Sequence, residues 1–176
     1  MIKPLVAIVL GSDSDLVIMS ETANVLEKAG VPFEFVIASA HRCPDYVKES
    51  VKAYEKEGVK VFIAAAGLAA ALPGVIAAET TLPVIGVPLN SSSLNGLDSL
   101  YAIVQMPGGV PVGTMAIGRN GAVNAGMYAI SILALRDEKL AKWLCEHKKK
   151  LYDSIVKKSI KLKEKGYKKY MEEMGK

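Results

Sequence analysis

A histidine with an arginine beside it can do two jobs in one place. The imidazole gives or takes a proton near neutral pH, and the guanidinium grips an anion through two parallel N–H bonds. The chain carries that pair as His41 and Arg42, inside the stretch SAHRCP at residues 39–44. His147 is the one other histidine in 176 residues, so a metal site built on several imidazoles is excluded by count. Cys43 raises a rival chemistry, a Cys–His nucleophile pair. The two residues would share a face of an extended segment, but no Asn, Asp or Glu stands out to orient the ring.

A second candidate stretch is GSDSD at residues 11–15. Gly11 allows a tight turn, Ser12 offers a hydroxyl, and a helix beginning here would present free N–H groups to an anion. Neither the GxxxxGK[ST] nor the GxGxxG spacing is present. Asp13 and Asp15 would repel a phosphate, so hydroxyl-rich ribose is the better partner for at least one of them. Plain helix capping by Ser or Asp accounts for the same residue types. A third stretch, residues 64–74, is rich in Ala and Gly; it lets a backbone approach a ligand closely and makes a dry wall, or it simply packs a helix close on a sheet. Residues 105–112 add two glycines and two prolines in a rigid turn.

These loops need elements to hold them. Apolar runs at 5–10, 33–38, 59–65, 84–87 and 112–117 read as strands, and 15–29, 44–57, 69–79, 95–105 and 120–135 suit helices. The strand runs are continuously apolar rather than alternating, which predicts a parallel sheet covered on both faces. The expectation is a three-layer α/β/α, flavodoxin-like domain over residues 1–136 with a helical extension over 137–176. In such folds ligands collect at the carboxyl ends of the strands, which points to the loops after Leu10, Ala38 and Ala65.

Composition narrows the class. The chain is 51% hydrophobic and 23% charged, ordinary for a globular protein and unlike a disordered one. No apolar run reaches the length of a membrane span and no signal-peptide pattern opens the chain, so a cytoplasmic protein without membrane contact is expected. Cys43 and Cys145 form no CxxC and read as reduced thiols. The net charge of +4 resides in the tail: residues 137–176 hold 13 Lys against 7 Asp and Glu. A nucleic-acid arm is one reading. The tail also keeps an apolar stripe at Leu140, Leu144, Leu151, Ile155 and Leu162, and this favours a solvated helical face without nucleic acid.

Taken together, GSDSD (11–15), SAHRCP (39–44), AGLAAALPG (66–74), PVIGVP (83–88), the long segment 94–118 and GAVNA (121–125) resemble the N5-carboxyaminoimidazole ribonucleotide mutase family of purine biosynthesis, in its class I bacterial and archaeal form. They run in the family's order and cover about residues 5–135. The resemblance implies a homo-octamer that needs no metal, ATP or organic cofactor. It implies that Ser12 and Arg42 bind phosphate, that Asp15 contacts ribose, and that Ser39, Ala40 and Gly67 line the site. Asp13 and Leu72 complete the implied substrate-binding set, and His41 matches the family's general acid/base. Two positions depart from the family's pattern. Ala71 stands where the family usually has a second histidine, and Cys43 replaces a usual Thr. Two alternatives follow: direct carboxylation of aminoimidazole ribonucleotide by carbon dioxide, and a nucleotide-binding relative without turnover. Animal-type carboxylases typically carry a lysine after the equivalent of His41, so Arg42 favours the mutase class.

Overall fold

The computed structural model describes residues 3–175. These fall into two compact units, the first running to Leu133 and the second starting at Ala134.

The first unit alternates strands and helices: β1 (Val6–Leu10), α1 (Leu16–Ala29), β2 (Phe33–Ile37), α2 (Pro44–Glu57), β3 (Val61–Ala66), α3 (Leu72–Glu79), β4 (Val84–Pro88), α4 (Leu97–Val104), β5 (Gly113–Thr114) and α5 (Arg119–Leu133). The five strands form one sheet in the order β2-β1-β3-β4-β5, and every neighbouring pair is parallel. This is the flavodoxin-like order. Every residue of β1, β3 and β4 is buried, as the continuous apolar runs require of strands covered on both faces.

Alternation sorts the core into two layers. Ala7, Val9, Phe62, Ala64 and Ala66 form one cluster with Val47 and Val51 of α2, Leu72 and Ile76 of α3, and Ile103 of α4. The intervening Ile8, Leu10, Ile63 and Ala65 face the other way, toward α1 and α5, which pack on each other. Small residues make that second pairing close. Gly121, Ala122, Ala125, Gly126 and Ala129 are buried along α5, and Thr22 of α1 donates its hydroxyl to the Ala122 carbonyl at 2.7 Å. Each large side chain fully buried here, such as Phe62, Ile8 or Met19, contributes roughly 1.5–3 kcal/mol.

Several boundaries differ from the sequence reading, each for a local reason. The expected helix at 69–79 starts only at Leu72, because Leu68 and Ala70 take left-handed φ values of 57° and 39°. The expected strand at 112–117 pairs only through Gly113 and Thr114. Beyond them the chain turns at Gly118, whose φ is 70°, to start α5. A short 3-10 turn, Asp13–Asp15, precedes α1.

The second unit contains α6 (Glu138–Lys165) and α7 (Tyr167–Glu173). Asp137 caps α6 by accepting the Lys139 and Leu140 N–H groups at 2.8 and 3.1 Å. Trp143 and His147 stack one turn apart with ring centroids at 5.1 Å. Glu173 of α7 pairs with Lys161 at 2.8 Å and with Lys165, and these bonds hold its carboxyl down to about 2. Residues 151–164 of α6 are exposed throughout, with lysines interleaved among Leu151, Ile155 and Leu162.

The closest packing constraint is at Gly121. A Cβ there would lie 1.7 Å from the Ala116 carbonyl oxygen, a backbone atom that cannot step aside. Gly121→Ala is expected to destabilise the first unit by about 3 kcal/mol, at the upper end of overpacking effects. Gly108→Ala, with nothing within 4 Å, should stay within about 0.5 kcal/mol of the parent. Urea midpoints of the two variants measure the difference.

Candidate active site

The strand order leaves a crevice where connections from the sheet's centre diverge to either side, at the carboxyl ends of β1 and β3. A cavity of about 490 Å³ occupies it. Its walls come from the loops after β1, β2, β3 and β4 and from the first residues of α3.

The loop after β1 is shaped by a reciprocal cap. Ser12 N–H donates to Asp15 Oδ2 at 3.0 Å, while Ser12 Oγ accepts from Ser14 N–H at 3.4 Å. Asp15 is drawn inward by this bond and is buried. Burial raises its carboxyl above the ordinary 3.8, against the lowering pull of the Ser12 and Gly11 N–H groups and the Ser14 side chain. Asp13, two residues earlier, is exposed and not on the cavity wall. Its carboxylate accepts instead from Ser12 Oγ and Ser14 N–H, both at 3.0 Å.

The loop after β2 is a tight turn. Cys43 N–H donates to the Ser39 carbonyl at 2.9 Å, and Arg42 N–H and Nε–H both donate to Ser39 Oγ, at 3.3 and 3.2 Å. Arg42 Nη2 reaches across to the Gly11 carbonyl at 2.8 Å. That charge-assisted bond joins two loops separated by 31 positions, and the rest of the guanidinium stays on the exposed rim. His41 lies on the wall beside Ala40. Cys43 does not line the cavity, and its sulfur already accepts the Ser39 N–H at 3.2 Å. This geometry disfavours the Cys–His nucleophile pair.

A further stretch of wall is Ala66, Gly67, Leu68, Ala69, Ala70, Ala71 and Leu72. Gly67 is required by Ser91, which crosses behind it from the loop after β4. A Cβ at position 67 would meet Ser91 Oγ at 2.7 Å and Ser91 Cβ at 2.8 Å. Among the described residues, the titratable groups on the walls are Asp15, His41 and Arg42. No group of three or more His, Cys, Asp or Glu is placed among the described residues to hold a metal ion.

Eight of the nine residues singled out from the sequence therefore meet around one cavity: Ser12, Asp15, Ser39, Ala40, His41, Arg42, Gly67 and Leu72. Asp13 does not. Ser14 and Ser91 line the cavity as well, and the sequence reading missed both. The run of three serines at 91–93, directly after a buried strand, was the signal available for Ser91.

A second, smaller groove lies between β2 and α2, lined by Glu34, Glu49, Glu57, Tyr46 and Tyr54 among others. Burial and the nearby Glu34 and Glu57 push the Tyr54 hydroxyl up to about 12. Three carboxylates with no cation among its lining residues would repel a phosphate ester. The first cavity, with Arg42 on its rim, is the better candidate for an anionic ligand.

Comparison with known proteins finds similarity along nearly the whole chain. A model of the AIR carboxylase family matches residues 5–154. The N5-carboxyaminoimidazole ribonucleotide mutase of Thermotoga maritima is 50% identical over 96% of this chain and 97% of its own length. The mutase of Pyrococcus horikoshii is 48% identical over 97% of this chain and 96% of its own. The phosphoribosylaminoimidazole carboxylase of Saccharomyces cerevisiae is 47% identical over 98% of this chain, but the match spans only 30% of that protein. The crystal structure of Treponema denticola PurE superposes with a TM-score of 0.83 at 29% identity, covering 91% of this chain and 99% of that one.

Asp15 yields a test of the site's electrostatics. Its folded-state value is raised, so the protonated form suits the fold and the carboxylate subtracts stability once the pH is above that value. Asp15→Asn keeps an acceptor for Ser12 N–H without the charge. At pH 7 its urea midpoint should exceed the parent's, and the two should converge as the pH falls below 3.8, where folded and unfolded chains both hold the proton.

Proposed function

The chain belongs to the AIR carboxylase family, and we propose that it converts N5-carboxyaminoimidazole ribonucleotide to the 4-carboxy isomer in purine biosynthesis. The observation that carries this reading is a cavity lined by one imidazole, one guanidinium and a run of alanine and glycine. Relatives named as mutases match the chain over nearly the full length of both partners, which supports this isomerisation over direct carboxylation.

In the proposed course the Arg42 guanidinium and Ser12 take the 5′-phosphate, and Asp15 takes the ribose. Ser39, Ala40, Gly67 and Leu72 line the pocket around the base. His41, protonated, gives its proton to the exocyclic nitrogen as the N–C bond breaks, leaving aminoimidazole ribonucleotide and carbon dioxide. The ring carbon then attacks carbon dioxide, forming the new C–C bond. Neutral His41 removes the proton from that carbon and returns to its starting state. The isomerisation balances with no added acid, base, oxidant or nucleotide triphosphate.

Carbon dioxide has no charge by which to be held, so retention depends on a closed, dry wall that the alanines can form. Keeping both fragments bound replaces a dilute bimolecular step by an intramolecular one. Ala71 adds to that wall and leaves His41 as the site's one imidazole.

The assembly proposed with this function is a homo-octamer, and the location is cytoplasmic. Among the described residues no helix is long and apolar enough to cross a membrane. Val17 at 80%, Tyr101 at 61% and Leu68 at 58% exposure give the single chain apolar surface for other copies to cover. Light scattering of the purified protein should return the mass of eight chains; a monomeric mass with full activity would remove the assembly from the proposal.

Turnover is tested with synthetic N5-carboxyaminoimidazole ribonucleotide alone, without ATP or added bicarbonate, against the spontaneous decarboxylation background. The 4-carboxy isomer is expected to form, and His41→Asn should lower kcat by roughly 10²–10⁴-fold, the span of general acid–base catalysis. Product only from aminoimidazole ribonucleotide plus bicarbonate would move the protein to the direct carboxylases. A protein that binds the nucleotide and turns over neither substrate would make it a non-catalytic relative. In that case Ala71→His would be the variant to try for restoring the rate.

A further inference from the structure

Ser39 and Cys43 are bonded to each other twice. The Cys43 N–H donates to the Ser39 carbonyl at 2.9 Å, and the Ser39 N–H donates to Cys43 Sγ at 3.2 Å. Between these two bonds Ser39 Oγ accepts from Arg42 N–H and Nε–H. The N–H, the carbonyl and the hydroxyl of Ser39 are thus all engaged with the two residues that follow His41.

Cys43 is also the residue from which α2 starts, with φ −146° and ψ 61°. A side chain at this position ordinarily turns forward and accepts an N–H from the first turn of the helix. The Cys43 side chain makes no such bond. Its sulfur turns backward to Ser39, so the turn gains an acceptor at the helix's expense. His41, meanwhile, is exposed, and among the described residues no hydrogen bond, ion pair or ring contact holds its imidazole. Its position follows from the backbone of the turn.

We propose that Cys43 is a positioning residue of the active site: its sulfur closes the 39–43 turn and thereby fixes where His41 and Arg42 stand. The inference rests on the roles given to His41 and Arg42 above. The half-buried Ser39 N–H would otherwise lose its partner, and the turn would open by exchanging that bond for water. Sulfur is a weak acceptor, so one well-placed oxygen at the same point can replace it.

Three variants test this. Cys43→Val keeps the branched shape of threonine with no acceptor, Cys43→Ala removes both shape and acceptor, and Cys43→Thr supplies a hydroxyl oxygen. Deuterium exchange at the Ser39 amide, read by mass spectrometry, reports the bond itself. Steady-state turnover of N5-carboxyaminoimidazole ribonucleotide reports its consequence. Val and Ala are expected to speed Ser39 exchange and to lower kcat about five- to tenfold, the equivalent of one net hydrogen bond. Thr should restore both.

Unchanged exchange in Val would overturn the bond, and faster exchange with parental kcat and KM would overturn the positioning role. If the parent protein itself shows no turnover, the isomerase reading falls separately. Calorimetric affinity for aminoimidazole ribonucleotide then decides the proposal through Arg42: a five- to tenfold loss in Val restored in Thr upholds it, and equal affinity in all three overturns it.

Discussion

The constraint on which the rest depends is that β1, β3 and β4 are buried on both faces. Strands in that position cannot carry polar side chains without stranding them, so they are built from Val, Ile, Leu, Phe, Ala and Gly, with Pro88 at an end. Chemistry is thereby displaced to the carboxyl ends of the strands, where the chain first meets water. The order β2-β1-β3-β4-β5 then decides which ends converge. Connections leave β1 and β3 toward opposite sides of the sheet, and the gap between them is the cavity. Arg42 adds a side-chain tie across this gap: its bond to the Gly11 carbonyl joins two loops whose roots are already linked by the Ala38 N–H to the Leu10 carbonyl.

Much of this was legible in the residues. Continuous apolarity marked the central strands, and the helix ends expected at 29 and 57 are those of α1 and α2, which close at Gly30 and Gly58 with left-handed φ. What failed was local. Leucine and alanine carry no signal for positive φ, so the late start of α3 could not be read from Leu68 and Ala70. Their conformation belongs to the cavity wall, where strain of roughly 1–3 kcal/mol per residue is held by surrounding structure. Asp13 and Asp15 look alike as residue types. A 3-10 turn separates them: it rotates Asp15 inward to meet the Ser12 N–H and leaves Asp13 in solvent. Ser91 lies beyond the three strand ends that the fold class singles out, yet β4 lies next to β3 and its loop reaches the same crevice.

The cavity's scarcity of charge is informative in its own right. Hydrolysis or phosphoryl transfer calls for preorganised donors or cations aimed at the charge that develops in the transition state. Here the titratable groups on the described walls are one carboxyl, one imidazole and one guanidinium, and the alanine-rich stretch of wall is apolar. On the proposed reading that imbalance is functional. The guanidinium and carboxyl are committed to the two ends of a ribose phosphate, and the single imidazole serves a reaction that moves one proton out and back. Asp15 is buried and its carboxyl is raised by that burial. A perturbed carboxyl in a cleft is a candidate for a binding role.

The same reasoning bears on Ala71. A second imidazole in the alanine wall would add a titratable group to the site, and with it a second proton whose position would have to be controlled. Alanine removes that group and extends the dry surface against which an uncharged fragment is held. On the proposed course the proton balance of the isomerisation closes with His41 alone, since each turnover returns it to the state in which it began. A wall without a base at position 71 is therefore compatible with the reaction on physical grounds. The demand it makes is geometric: one imidazole must reach both the exocyclic nitrogen and the ring carbon. That demand is why the turn carrying His41 has to be held from both ends, at Ser39 and at Cys43.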